Sequence, residues 1–448
     1  MKRVAIIGGG IAGLSAAYYL QKARIDFTLF EGSGRFGGMI DSERTPEGFM
    51  VEAGPDSFLS AKPAASELAR ELGLGDELVP SNDAQRKTYI LLEGRLVAIP
   101  DGMQLMVPTR SWPVMTSHLF TFSTKLRMAR EFLFPPPPLA ENVDESVASF
   151  VARHFGNEIV DRLANPLLAG VYGGDSSRLS VRAVLPMMVG SEAKHGSLVR
   201  GALRSGVTGK PAVPLFTTMR GGMRQLVDTL AARLPAECLR MKTPVTTITR
   251  TNASWNVAGE SFTDIVLAVP AAVAATLLWP LDPVLSALLG KVTSTSCITV
   301  ALGYGRAEEL QLPPGFGFLV PRGEKKHLLA CTFVHRKFDG RAPEGSALLR
   351  AFLTSGLEES DEAIIGKVRA ELGEVLNIRQ QPLMARVRRW PSAMPQYEVG
   401  HLERMKQIDE RVGTLIGLRL TGNAYHGIGI PDCVRGGKGA AETIAASG

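Results

Sequence analysis

The sequence predicts an α/β protein: a nucleotide-binding domain on a parallel sheet, a second domain on a mixed sheet, and an inserted helical subdomain. Three observations carry this. The apolar run Val4 to Ile7 ends in glycines, helix formers follow from Ala12 to Leu20, and a second apolar run, Phe27 to Phe30, closes on Glu31. Strand, glycine turn, buried helix and strand in that order make a βαβ unit. From residue 105 to 205 the strand signals give way to helical ones, broken at Pro135, Pro136, Pro137 and Pro138. Strand-like runs then return at 245–249, 264–269, 297–302 and 327–333. On these signals residues 1–80, 215–275 and 385–448 form a discontinuous nucleotide domain, 81–104 and 276–384 a substrate-binding domain, and 105–214 the helical subdomain.

Composition narrows the function. The chain has 448 residues, 45% of them hydrophobic, enough for two or three separate cores. Its net charge of +6 is spread along the chain rather than gathered in a basic run, which argues against nucleic acid as a partner. The four cysteines stand singly, and no HExxH pattern is present, so neither a disulfide framework nor a metal site is expected. No apolar stretch reaches the roughly 20 residues a spanning helix needs. A cytoplasmic location is expected. Arg110, Lys125, Arg127 and Arg130 lie amid Leu119, Phe122, Leu126, Phe132 and Leu133, so a weak peripheral contact with a membrane surface is a second expectation.

The first chemical motif is G-x-G-x-x-G, made by Gly8, Gly10 and Gly13 between a strand and a helix. The first glycine permits the turn, the second lets a pyrophosphate approach the backbone, and the third lets helix and strand pack closely. The free N–H groups of the helix start favour the phosphates. This is the fingerprint of a Rossmann-type domain, and it makes Gly8, Gly9, Gly10, Ile11, Ala12 and Gly13 a dinucleotide-binding loop. Glu31, 18 residues beyond Gly13, is placed to accept hydrogen bonds from a ribose diol.

Arg35, Gly37 and Gly38 follow in the order E-G-S-G-R-F-G-G. Here the sequence resembles the flavin amine-oxidase superfamily, in which a second glycine turn and an arginine contact the FAD diphosphate; the resemblance gives Arg35 and Gly38 that role. The segment Glu52 to Phe58, with Gly54, Pro55, Asp56 and Ser57 at its centre, narrows the resemblance to the oxygen-dependent protoporphyrinogen and coproporphyrinogen oxidases. Further matches run in order along the chain: residues 89–91 with Pro100, 165–175, Trp390, 394–397 with Gly400 and His401, and 421–433. The resemblance implies non-covalent FAD. It also implies that Gly54 to Ser57 run past the flavin ring, that the Val245 backbone meets the adenine, and that Trp390 lies beside the flavin. Ile428, Gly429 and Ile430 would close over the pyrimidine edge.

As the family implies, the activity is oxidation of a porphyrinogen to a porphyrin in haem biosynthesis, with dioxygen reoxidising the flavin to give hydrogen peroxide. The chemistry resides at flavin N5, so no catalytic side chain is assigned. Thr88 stands where plant and animal members have an arginine, with Arg86 and Lys87 beside it. That departure, and the segments around 99–102 and 107–109, resemble the Gram-positive coproporphyrinogen III oxidase type. Arg86, Lys87, Lys194, His195 and Arg200 are the candidate partners for substrate carboxylates. Another flavin amine oxidase, a desaturase, or a non-catalytic FAD-binding partner protein in the haem pathway are the competing readings.

Overall fold

A computed structural model describes residues 2–140, 143–204, 214–251, 254–324 and 326–447. Arg3–Ile7, buried at four of its five positions, starts a five-stranded parallel sheet. In space the order is Leu239–Arg240, Asp26–Phe30, Arg3–Ile7, Asp264–Leu267, Leu418–Leu420. Numbered along the chain this is 3-2-1-4-5, so the strand order reverses between Arg3–Ile7 and Asp264–Leu267. Ligands of such sheets bind outside the carboxyl ends of the strands at that reversal. The G-x-G-x-x-G turn leaves the carboxyl end of Arg3–Ile7 at this place.

Helix Ile11–Lys22 is buried along most of its length because both sides are covered. The long helix Ile430–Ala446 crosses it so closely that a Cβ at Gly437 would lie 2.2 Å from the Ala12 carbonyl oxygen. On the opposite face of the sheet, the hairpin strands Ile248–Arg250, Trp255–Val257 and Glu260–Phe262 share a core with Phe30, Ile265 and Leu267. The expected strand at 245–249 is shorter than drawn, since Val245 lies in irregular chain before Ile248.

The second sheet has seven strands, in the order Met384–Pro395, Ser294–Tyr304, Ala347–Leu353, Leu328–Phe333, Gly317–Leu319, Thr88–Leu92, Arg95–Ala98. Only Gly317–Leu319 and Thr88–Leu92 pair in parallel. The sequence boundary at residue 385 needs correction on this point. Met384–Pro395 is hydrogen-bonded along its length to Ser294–Tyr304, so Trp390 rides on the second sheet and not on the parallel one.

The helices of the inserted region pack against the second sheet, around Ile90 and Leu319. Ser111–Thr116, Phe122–Leu133, Val147–Phe155, Asn165–Tyr172, Pro186–His195 and Leu198–Arg204 enclose an apolar core of their own that includes Phe150, Phe155 and Leu163. Residues 205–213, within the expected range of this subdomain, lie outside the described residues. At its centre Glu131, fully buried, accepts from Ser197 Oγ at 2.8 Å, from the N–H groups of Leu198 at 2.7 Å and Val199 at 3.2 Å, and faces His154 Nδ1 at 3.0 Å. Its carboxylate thereby serves the amino end of helix Leu198–Arg204, where negative charge is favoured. His154 Nε2 meets Glu192 at 3.0 Å, which ties a fourth helix, Pro186–His195, to the same point.

No helix among the described residues is long and apolar enough to cross a membrane. The surface of the helical subdomain nonetheless exposes large apolar side chains, among them Trp112, Phe122, Leu126, Leu133 and Phe134.

Candidate functional site

The glycine turn has two kinds of glycine. Gly8 and Gly13 serve the protein's own packing: a Cβ on Gly8 would lie 2.4 Å from the Ala268 carbonyl oxygen, and one on Gly13 would lie 1.9 Å from that of Gly8. Gly10 is different, for a Cβ there meets no atom within 4 Å. Its bare face opens onto the space beside the first turn of helix Ile11–Lys22, where the missing side chain leaves room for a phosphate. The second glycine loop closes one wall of this space, with Gly37 N–H donating to the Gly9 carbonyl at 2.8 Å and Gly38 approaching Gly10. Arg35 turns inward onto this loop, donating to the carbonyls of Gly38 at 2.6 Å and Ile40 at 3.0 Å, so it stiffens the turn that the resemblance gives to a diphosphate.

Glu31 lies across the same loop. Its carboxylate accepts from Gly9 N–H and Ser33 N–H, both at 2.7 Å. The backbone of residues 242–243 docks beside it, with Lys242 N–H donating to the Ser33 carbonyl and Thr243 N–H to that of Glu31. The structure therefore brings Val245, half-buried on this loop, to the neighbourhood of Glu31. At the other end of the crevice Gly429 caps helix Ile430–Ala446, with Ile428 just before it.

The segment Ala53 to Ser57 is held mainly through its carbonyl groups and the Asp56 carboxylate. The Ala53 carbonyl accepts from Trp390 Nε1 at 2.8 Å and Thr299 Oγ1 at 3.0 Å, and Arg350 donates to the Gly54 carbonyl. The Asp56 carboxylate meets Lys337 Nζ at 3.1 Å, while its carbonyl accepts from Thr218 Oγ1 at 2.7 Å. Burial alone would push Asp56 up; the Lys337 ammonium and the Arg350 guanidinium outweigh it and hold the carboxyl well below the usual range. With their acceptors taken, the N–H groups of Gly54, Asp56 and Ser57 meet no acceptor among the described residues. A Cβ on Gly54 would lie 1.8 Å from the Met39 carbonyl oxygen, so only glycine passes there. A row of unused donors on a half-buried strand-like segment suits a ring edge rich in oxygen and nitrogen acceptors. Together with the open face of Gly10, it fits a flavin dinucleotide laid along the crevice.

Trp390 thus holds the Ala53 carbonyl through its indole N–H. Lys337, Arg341 and Arg350 were not foreseen. Arg341 is buried, donating to Thr218 Oγ1 at 2.6 Å and to the Met219 carbonyl at 2.7 Å, and stands 3.5 Å from Glu52. Burial pushes the Glu52 carboxyl up to about 7, opposed by Arg341, by Ser42 Oγ and by the Met223 N–H.

The five carboxylate candidates come from different elements. Arg86 and Lys87 are exposed just before strand Thr88–Leu92 of the second sheet, whereas Lys194, His195 and Arg200 sit on two helices of the inserted region. Arg200 already has work: it donates to the carbonyls of Phe132 at 2.7 Å and Leu133 at 3.1 Å, closing the carboxyl end of helix Phe122–Leu133. That use, which depends on how two helices pack, displaces the expectation that its guanidinium is free for substrate.

Two histidines set an acid limit. Burial pushes both His335 and His401 down to about 4. His401 is stacked on Tyr397 at 3.9 Å, and its Nε2 donates to the Tyr425 carbonyl at 2.9 Å. A depressed histidine binds its proton more weakly folded than unfolded, so its stabilisation is complete above about pH 6.5 and declines as pH falls toward 4. Glu52 works in the other sense, its contribution declining as pH rises through about 7. Thermal melts should therefore show Tm falling between about pH 6.5 and 4.5, and His401→Gln, which stays neutral, should flatten that slope. An unchanged slope in the variant would remove His401 from the account.

The family described as flavin containing amine oxidoreductase matches residues 11–445. The coproporphyrinogen III oxidase of Bacillus subtilis (strain 168) is 34% identical over 462 residues, covering 98% of this chain and 97% of its own. The protoporphyrinogen oxidase of Bos taurus is 28% identical, covering 99% and 98%. Among solved structures, a candidate protoporphyrinogen oxidase from Exiguobacterium sp. 255-15 superposes with a TM-score of 0.89 at 30% identity, covering 100% of this chain and 99% of its own. A putrescine oxidase shares the fold alone, with a TM-score of 0.72 at 18% identity and 99% coverage of each chain. With a dinucleotide crevice built as this one is, the chain belongs to the flavin containing amine oxidoreductase family and is an FAD-dependent oxidoreductase.

Proposed function

We propose that this protein oxidises a porphyrinogen to a porphyrin in haem biosynthesis, with coproporphyrinogen III as the preferred substrate and dioxygen as the final electron acceptor, giving hydrogen peroxide. The observation that carries it is the near-complete match, 34% identical across 98% of this chain, to an enzyme named coproporphyrinogen III oxidase. The chemistry of the site agrees. Bound FAD, held without a covalent link, supplies the hydride acceptor, and the chain's task is to orient it and exclude water. Gly10 and the helix start hold the diphosphate, Glu31 the ribose, the loop of Val245 the adenine, and the donors of Gly54 to Ser57 with Ile428 to Ile430 the ring. No general acid or base is needed at the reacting carbon, which suits a segment whose one carboxylate, Asp56, is locked to Lys337.

The test is kcat/KM for coproporphyrinogen III and protoporphyrinogen IX in air, read by porphyrin fluorescence. Coproporphyrinogen III should be used at least as well. A preference for protoporphyrinogen IX above about tenfold, roughly 1.4 kcal/mol in transition-state binding, would reject the substrate assignment but keep the oxidase. Amine or carotenoid oxidation without porphyrin formation would favour the other flavin enzymes, and a flavin left oxidised by both porphyrinogens without air would favour a non-catalytic partner.

The exposed apolar face of helix Phe122–Leu133, flanked by Lys125 and Arg130, supports a weak membrane-surface contact of a cytoplasmic protein that no helix anchors across the bilayer among the described residues. It should sediment with vesicles containing anionic lipid at low salt and be released by a salt wash; equal recovery with and without vesicles would discard the contact.

A further inference from the structure

The buried charges beneath the Ala53–Ser57 segment do not balance. Three cations, Lys337, Arg341 and Arg350, face two carboxylates, Asp56 and Glu52. Glu52 is pushed up to about 7 by burial, so near neutrality it carries only part of its charge. No surrounding carboxylate is left over to compensate the excess: Asp41 pairs with Arg224, and Glu43 is shared by Arg386 and Arg388.

Arg350 is the member without a partner of its own. It is 5% exposed, in the middle of strand Ala347–Leu353. Its Nη2 donates to the carbonyls of Gly54 and Ala53, the latter at 3.4 Å, while its Nε meets no acceptor and no carboxylate pairs with it among the described residues. Asp56, the nearest compensating charge, is already joined to Lys337. The small cavity beside it is lined by Val51, Ala301, Val334 and Leu348 and also by Glu52 and Asp56, so Arg350 shares a largely apolar environment with these two carboxylates.

We propose that Arg350 is a positioning residue with an electrostatic role: it fixes the Ala53–Gly54 peptides and puts a net positive charge beneath them, favouring the negative charge a flavin takes up on reduction. The inference rests on the FAD reading, which places the ring along this segment. Two opposite charges of one cluster then act in opposite senses. Removing Arg350 disfavours reduction, and removing the Asp56 charge favours it.

The experiment is a spectroelectrochemical titration of the purified holoproteins: wild type, Arg350→Met, Arg350→Lys and Asp56→Asn, with Tm recorded for each. At fixed potential the ratio of reduced to oxidised flavin should fall about tenfold in Arg350→Met and rise by a similar factor in Asp56→Asn. That is the scale of one charge acting over roughly 12 Å at an effective dielectric of about 20. Arg350→Lys should stay near wild type. Should Arg350→Met fail to fold, Asp56→Asn against Arg350→Lys still decides the sign. Unmoved potentials with lowered Tm, or shifts of the same sign in Arg350→Met and Asp56→Asn, would reduce Arg350 to a structural residue. A wild-type protein that is colourless and takes up no FAD would instead defeat the reading beneath it.

Discussion

Gly10→Val is expected to fold and to lose its flavin. The added side chain points into space where the protein has no atom within 4 Å, so it collides with nothing in the chain but fills the room a pyrophosphate needs. The wild type should purify yellow and release free FAD on acid precipitation, while the variant should be colourless with nearly the same circular dichroism spectrum. Gly13→Val makes the contrast: its Cβ would sit 1.9 Å from the Gly8 carbonyl oxygen, so helix and strand must part, and soluble protein should be lost along with the cofactor. Full flavin occupancy in Gly10→Val would mean that the turn is not the phosphate site.

Glu131→Leu should cost about 3 to 5 kcal/mol. The substitution removes the acceptor for two backbone N–H groups, the Ser197 hydroxyl and a ring nitrogen of His154, all buried, and leaves Glu192 facing a histidine that has lost its other partner. A domain of this size loses roughly 2 to 4 °C per kcal/mol, so Tm should fall by about 10 °C. Because every lost bond lies within the helical subdomain, helix Leu198–Arg204 should become open to protease before the nucleotide domain melts. A Tm within 2 °C of wild type, taken as roughly 0.5 to 1 kcal/mol, would show that the buried carboxylate is dispensable.

The nucleotide crevice was legible because its chemistry is local. Gly8, Gly10, Gly13 and Glu31 fall at spacings dictated by one turn and one strand, and the resemblance reached the flavin-side segment through Gly54 to Ser57. What was not legible depends on contacts between distant parts of the chain. Lys337 sits on the short helix Val334–Lys337 and reaches Asp56 across nearly three hundred residues of sequence, with no spacing to announce it. Arg350 did leave a trace, as the lone charge within Leu348-Leu349-Arg350-Ala351-Phe352-Leu353, a run that otherwise reads as a buried strand. Arg200 could not have been read correctly, since its role as a helix cap exists only once two helices are packed. The sheet that carries Trp390 was not legible either, because its strand pairs with Ser294–Tyr304, far away in sequence.

The strand order 3-2-1-4-5 also fixes when this protein can be finished. The first two strands are made within the first thirty residues, but Asp264–Leu267 and Leu418–Leu420, which complete one half of the parallel sheet, come far later. At roughly 5 to 20 residues per second, a ribosome needs about 20 to 80 seconds to reach the last of them. Until residue 267 is made, the edge of Arg3–Ile7 that will pair with Asp264–Leu267 lacks its neighbour, and the face of helix Ile11–Lys22 that Gly437 will cover stays bare longer still. The same late closure that builds the crevice from distant strands leaves the young chain dependent on protection from other exposed strand edges.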